Sequence, residues 1–273
     1  MTFFNKDPFF KSVIGFSSRD IDLTDSSQLS LLQKECEKDS TVIMSAAIKS
    51  DHGNSLETFQ DNIRMAENIA KLSETCELKK LLLISSNAVY GVHMDHKIIS
   101  ENTILYPDTY YSLSKFITEK LLQLTFKGKE ERLAILRPST IYGPDENITP
   151  HTPSGFLKTY MSGGSITLWG DGSELREFVF LDDIVKIISK VIEIEFSGVM
   201  NIGGGRPRSY KDALDIISNL LDKKIEINSK TRTVKAVDKI YDLSLIKDLL
   251  PDFNFTSLEE GLKLTYQRTI SLR

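Results

Sequence analysis

The first continuous apolar run in the chain is TVIMSAA, Thr41 to Ala47. A short run of this kind, without polar alternation, suits a strand covered on both faces. From Leu56 to Thr75 the pattern becomes helical, with Ile63, Ala66, Ile69, Ala70 and Leu72 gathering on one side. KLLLISSNAVYG returns to the strand pattern at Leu81 to Ser85, with Lys79 and Lys80 expected to mark its solvent end. A helical stretch carrying Tyr111 and Lys115 follows, and RLAILRPSTIYGP supplies a third buried strand over Leu133 to Leu136. Strands alternating with helices predict an α/β protein with a doubly wound parallel sheet, whose ligand lies at the carboxyl ends of the strands. Those ends read SAAIK, SSNAVYG and RPSTIYGP, rich in small and hydroxyl residues.

After Pro144 the pattern breaks up. Glycine and proline punctuate short β-like pieces through HTPSGFLKTYMSGGSITLWGDGSELREFVFLDD, and NIGGGRPRSY adds a further loop. Residues 1–144 are therefore expected to form the sheet core. Residues 145–273 are expected to form mainly a smaller substrate lobe, with some segments returning to the core. That lobe is expected to hold one or two helices, the last near Leu258 to Ile270. NIGGG does not complete Gly-x-Gly-x-x-Gly, because Arg206, Pro207 and Arg208 follow Gly205, so it reads as a turn.

Composition narrows the function. A formal net charge of -4 argues against a nucleic-acid binder that relies on a general positive field. No stretch approaches the roughly 20 apolar residues of a membrane span, and the N-terminus lacks the pattern of a signal peptide. Cys36 and Cys76 fit neither a disulfide framework nor a zinc site, and they make the cytoplasm the simplest location. The histidines, His52, His93, His96 and His151, are scattered, and no metal site is expected.

Tyr111 and Lys115 stand four residues apart and project from one helix face. Spacing alone leaves open an ordinary surface pair. An unperturbed tyrosine, with a pKa of about 10, is a poor base near neutral pH, but a lysine ammonium beside it favours the phenolate. Ser86, in SSNAVYG, offers a hydroxyl at a strand end. Together these groups can move a proton on and off a substrate alcohol while a nicotinamide takes the hydride. Tyr110 points away from the pair and is expected to pack.

The ordered motifs resemble the extended short-chain dehydrogenase/reductases, in the branch of nucleotide-sugar epimerases, dehydratases and reductases. The resemblance runs from about Asp20 to the C-terminus and implies a Rossmann-like fold. DIDLTD is similar to the segment bordering the adenine, which implicates Asp22 and Leu23. SAAIK resembles the loop after the family's fourth strand, with Ala46, Ala47 and Lys49, and Asn62 falls at the family's helix asparagine. SSNAVYG and YSLSK imply Ser86, Tyr111 and Lys115 as the catalytic set, with Lys115 also holding the nicotinamide ribose. LRPSTIYGP resembles the segment that closes over the nicotinamide, including Pro138. The substrate is implied to be a nucleotide sugar, touched by Ser86, Asn87 and Arg176. Arg206, Arg208 and Arg232 are further phosphate candidates. The family commonly dimerises through the helices carrying Asn62 and Tyr111, so a homodimer is implied.

Two departures from the family pattern stand out. Its opening strand, Gly-x-x-Gly-x-x-Gly turn and helix are missing, and MTFFN looks like its second strand. The sheet is therefore expected to be N-terminally truncated by one βα unit. A start upstream of Met1 or a genuine loss in the gene is preferred over a unit supplied by a partner chain. NAD and NADP stay open, since the discriminating position falls near Asn5 and Lys6. The second departure is Asn87 and Ala88, which stand where the dehydratases resemble one another in an Asp-Glu pair. That disfavours dehydration and leaves an NAD(P)-dependent epimerase as first expectation. A ketoreductase is the alternative, or a non-catalytic binding or regulatory protein that kept the fold.

Overall fold

The computed structural model describes residues 3–37, 39–50, 53–91, 98–144, 151–232 and 235–271. His52, His93 and His96 lie outside them. The elements are, in order, α1 (Leu29–Glu35), β1 (Thr41–Met44), α2 (Leu56–Thr75), β2 (Lys80–Ile84), α3 (Tyr110–Thr125), β3 (Leu133–Pro138) and β4 (Thr140–Tyr142). Then follow α4 (Pro153–Met161), β5 (Ile166–Trp169), β6 (Leu175–Arg176), β7 (Phe178–Phe180), α5 (Leu181–Glu193) and β8 (Gly198–Ile202). β9 (Arg208–Ser209), α6 (Tyr210–Leu221), β10 (Ile227–Lys230), α7 (Ser244–Leu249) and α8 (Leu258–Ser271) complete the chain. Two compact units result: Met1–Val92, Ile104–Arg137 and Ile187–Met200 form the first, and the remainder forms the second.

In the first unit β1, β2 and β3 pair in parallel, Met44 opposite Leu83 and Leu83 opposite Ile135. The sheet order is β1-β2-β3-β8, so β2 is flanked on both sides and β1 stands at one margin. Leu81, Leu82 and Leu83 are all fully buried. Alternate strand residues face opposite sides, so a run without polar alternation needs cover on both. On one side Leu81 and Leu83 join Met65, Ile69 and Leu72 of α2 and Leu122 of α3 in one core.

Two expectations are corrected here. Lys80 does not mark a solvent end. It is buried, and its ammonium donates to the carbonyls of Glu195 (2.8 Å) and Phe196 (2.5 Å) just past α5. A cation is favoured where helix carbonyls lack partners. Only Lys79 reaches the surface, where it pairs with the Glu195 carboxylate at 2.7 Å. Nor do the described residues of MTFFN form a strand: Phe4–Lys6 is a 3-10 turn, and Met1 and Thr2 lie outside the described residues. With no strand paired to it among the described residues, an extended segment would leave its backbone groups unpaired, whereas a turn satisfies some of them locally. Its aromatic rings stack edge to face instead, Phe4 against Phe10 at 5.3 Å.

The second unit builds its core from Tyr142, Phe156, Leu168, Phe178, Phe180, Leu214 and Leu262, among others. Its strands pair two by two: β4 with β7 and β5 with β10 in parallel, β6 with β9 antiparallel. It is more helical than expected, with α4, α6, α7 and α8 besides the start of α5. α4 begins inside the Gly/Pro-rich stretch that obscured it, because Thr152 caps it and Pro153 suits the first helical position.

Candidate active site

Helix α3 starts at a capping box. Thr109 Oγ1 accepts from the Ser112 amide at 3.0 Å, and Ser112 Oγ accepts from the Thr109 amide at 2.9 Å. Asn54 takes a further free amide of the first turn, that of Tyr111, at 3.2 Å. These bonds set where Tyr111 begins its turn. Tyr110 is 42% exposed and contacts Phe59, with ring centroids 6.2 Å apart. Tyr111 is half-buried, and Lys115, one turn on, is only 5% exposed. The Lys115 ammonium donates to the Ile84 carbonyl at the end of β2, at 2.8 Å. Burial pulls its pKa down to about 8, against the opposing charge of Glu119.

Ser86 follows two residues after Ile84. It caps the 3-10 turn Asn87–Tyr90, with Oγ accepting from the Ala88 amide at 3.1 Å and lying 3.4 Å from Asn87 Oδ1. The strand end thus carries both the anchor of Lys115 and the candidate hydroxyl. Asn62 is buried on α2 and ties two pieces together. Its amide accepts from Ile48 N (2.7 Å), donates to Ile48 O (3.0 Å) and reaches Ser114 Oγ of α3 (3.3 Å). Ser114 in turn donates to the Tyr111 carbonyl at 2.8 Å. The loop holding Ala46, Ala47 and Lys49 is therefore bonded to the helix of the pair. Asp22 is exposed and bonds its own turn through Thr24, while the Leu23 carbonyl accepts from Asn68. Pro138 is buried at the end of β3.

In the second unit Arg176 forms no ion pair within the described residues. Its Nη1 donates to the carbonyls of Leu175 (2.8 Å) and Val237 (2.6 Å), and its guanidinium lies 5.5 Å from the Tyr210 ring centroid. Other cations of this unit are committed: Arg208 to Glu259, Arg232 to Glu174, and Arg268 to Asp182. The NIGGG turn is filled from inside the chain. The Glu177 carboxylate accepts from the Gly204 amide (2.9 Å) and the Tyr241 amide (3.4 Å). A Cβ on Gly204 would overlap the Phe178 carbonyl, so only glycine lets the turn come this close. Burial raises the Glu177 pKa despite these bonds.

Residues 5–203 match the model of the NAD dependent epimerase/dehydratase family. The chain belongs to this family. A Bacillus subtilis relative described as an uncharacterized UDP-glucose epimerase is 26% identical over 221 residues, covering 79% of this chain and 68% of its own. A putative UDP-glucose 4-epimerase of Methanocaldococcus jannaschii is 28% identical over 239 residues, covering 83% and 76%. Among solved structures, UDP-glucuronic acid 4-epimerase from Bacillus cereus in complex with NAD superposes with a TM-score of 0.78. It is 26% identical and spans 91% of this chain and 79% of its own.

In this member of the epimerase/dehydratase family, sequence reasoning missed a buried polar cluster directly behind the pair. Glu119 accepts from Arg137 Nε (3.0 Å), Arg137 Nη2 (2.6 Å) and Ser85 Oγ (2.5 Å), and Arg137 Nη1 donates to Tyr90 OH (2.8 Å). One signal was available: Glu119 is again four residues on from Lys115, so it shares the helix face. Asn54 carried no signal, since its partner lies 57 residues away.

Proposed function

We propose that the chain is an NAD- or NADP-dependent nucleotide-sugar epimerase in which Tyr111 moves the proton of a sugar hydroxyl. The observation that carries this reading is the buried Lys115 ammonium, one helical turn from Tyr111 and bonded at the strand end that continues into Ser86. With a pKa of about 8, Lys115 remains mainly charged at neutral pH and favours the Tyr111 phenolate. The phenolate takes the hydroxyl proton and later returns it, while Ser86 hydrogen-bonds the sugar oxygen and Asn87 lines the substrate. A nicotinamide cofactor, when bound, accepts and returns the hydride.

The residues fit that cofactor at its nicotinamide-ribose end: Lys115, the loop of Ala46, Ala47 and Lys49 held by Asn62, and Pro138. At the adenine end, Asp22 and Leu23 are the candidates. The 273 residues contain no Gly-x-x-Gly-x-x-Gly turn for the pyrophosphate. On the substrate side, Arg176 is the candidate diphosphate contact. Two carbonyls hold its Nη1, which leaves Nε and Nη2 without a partner within the described residues.

Replacing Tyr111 by Phe is expected to lower epimerisation of UDP- or dTDP-sugars by about 10²- to 10⁴-fold, the usual range for a lost acid/base. Activity near the parent level sinks the assignment. In the same assay, one reduced cofactor consumed per product moves it to a ketoreductase. Neither turnover nor binding of NAD or NADP leaves a non-catalytic protein with this fold. A homodimer, placed in the cytoplasm as the two free cysteines suggest, completes the reading; Leu56, Tyr110 and Leu124 leave apolar surface on α2 and α3 for the dimer contact. A solution mass of one chain by light scattering would remove the dimer.

A further inference from the structure

The cluster behind Lys115 joins four elements through side chains alone. Ser85 comes from the end of β2, Glu119 from α3, Arg137 from β3 and Tyr90 from the end of the turn that Ser86 opens. Every member is nearly inaccessible: Glu119 and Tyr90 are 0% exposed, Ser85 and Arg137 3%. The Arg137 fork takes both oxygens of Glu119, and its guanidinium also lies 5.1 Å from the Tyr90 ring centroid. Such a pair is costly to bury, and apolar residues of similar volume often replace one without loss of stability. Stability alone is therefore a weak reason for its presence. Its placement supplies a better one, because Glu119 stands one helical turn beyond Lys115, on the same face.

We propose that Glu119, held in place by Arg137, is a positioning residue for Lys115: it supplies the negative charge that keeps the buried ammonium protonated and aimed along the end of β2. This rests on the reading of Lys115 as the partner of Tyr111. Among the described residues the Lys115 ammonium has one hydrogen bond, to the Ile84 carbonyl, and a carbonyl alone compensates a buried cation poorly. The charged and titratable groups on the buried faces of the packed elements are few. Glu119 and Tyr111 share its helix, Tyr90 ends the adjoining turn, and Arg137 comes from β3. The buried face of α2 offers Asn62, Asn68 and apolar residues, none of which titrates. Among the described residues, Glu119 is thus the one carboxylate in this set. Arg137 takes both carboxylate oxygens of Glu119, and among the described residues Glu119 makes no direct ion pair with Lys115.

The test follows the Lys115 Cε resonance by NMR in the full chain labelled with 13C at lysine. The signal is assigned by its loss in Lys115→Met. In Glu119→Gln the midpoint of the Lys115 titration is expected to fall by about one pH unit, the low end of what a neighbouring opposite charge supplies. Arg137→Lys, which keeps a cation against Glu119, is expected to hold the midpoint where the native chain has it. A folded Glu119→Gln with an unmoved midpoint overturns the proposal, because a purely packing role shifts stability and not this titration. Should the single variant fail to fold, the charge-free Glu119→Gln/Arg137→Met double takes its place. A midpoint below the native one supports the proposal, and an unmoved midpoint or a second failure to fold overturns it. The measurement needs neither substrate nor cofactor, so it stands apart from the Tyr111→Phe assay.

Discussion

Glu119 in the first unit and Glu177 in the second are both hidden from water, at 0% and 3% exposed, yet their counter-groups differ. Glu119 meets a guanidinium fork and a hydroxyl. Glu177 meets backbone amides, with no ion pair among the described residues. A full countercharge offsets the desolvation of a carboxylate. Amide dipoles do so only in part, and the Glu177 pKa is accordingly raised by burial, with the amides and the charge of Lys247 pulling the other way. One glutamate is gripped by a guanidinium fork, and the other plugs a glycine turn. The lesson is that burial alone does not tell what a carboxylate is for; its counter-groups do.

The sharpest way to break this contrast is Arg137→Met. It leaves Glu119 buried without its cation, and a loss of about 3–5 kcal/mol in unfolding free energy is expected from urea titration. A loss comparable to that of an exposed pair would show that Glu119 does not depend on its countercharge. The smaller effect concerns pH. A carboxyl whose folded pKa lies above its ordinary value of 4.5 binds protons more readily in the folded chain. Its contribution to stability therefore improves as pH falls through the raised value, and the gain is complete once pH is below 4.5. The urea midpoint of the native chain is expected to rise relative to that of Glu177→Gln over that window alone, measured from pH 7 to 4. Parallel pH curves for the two would show that the amides around Glu177 compensate its charge fully.

The parts of the fold that the sequence made legible are those with one dominant signal. The bounds of α2 follow from an unbroken helical pattern ending at Thr75, with Ser55 as its cap. β2 and β3 follow from apolar runs too short for a helix. The segment at Phe4–Lys6 misled because its residues favour a strand, but a strand needs a neighbour, and none is written into residues 3–10. Lys80 misled for a related reason: nothing near it in sequence announces that carbonyls 115 and 116 residues away will receive its ammonium. The candidate site divides the same way. Tyr111, Lys115 and Ser86 could be found from local motifs. Arg137, next to a proline at the end of a strand, carries no local signal of its partner, because Glu119 lies on a different element.

Asn62 shows how a single side chain can stand in for missing architecture. A primary amide carries the same donor and acceptor as a main-chain peptide group. Bonded to both the N–H and the C=O of Ile48, it is, to that residue, a one-residue fragment of a neighbouring strand. The loop after β1 gains a rung of ladder beyond the last residue of the strand, without another strand being laid down. An aspartate there has the size and shape for the place but no N–H to offer, so the rung would be half built.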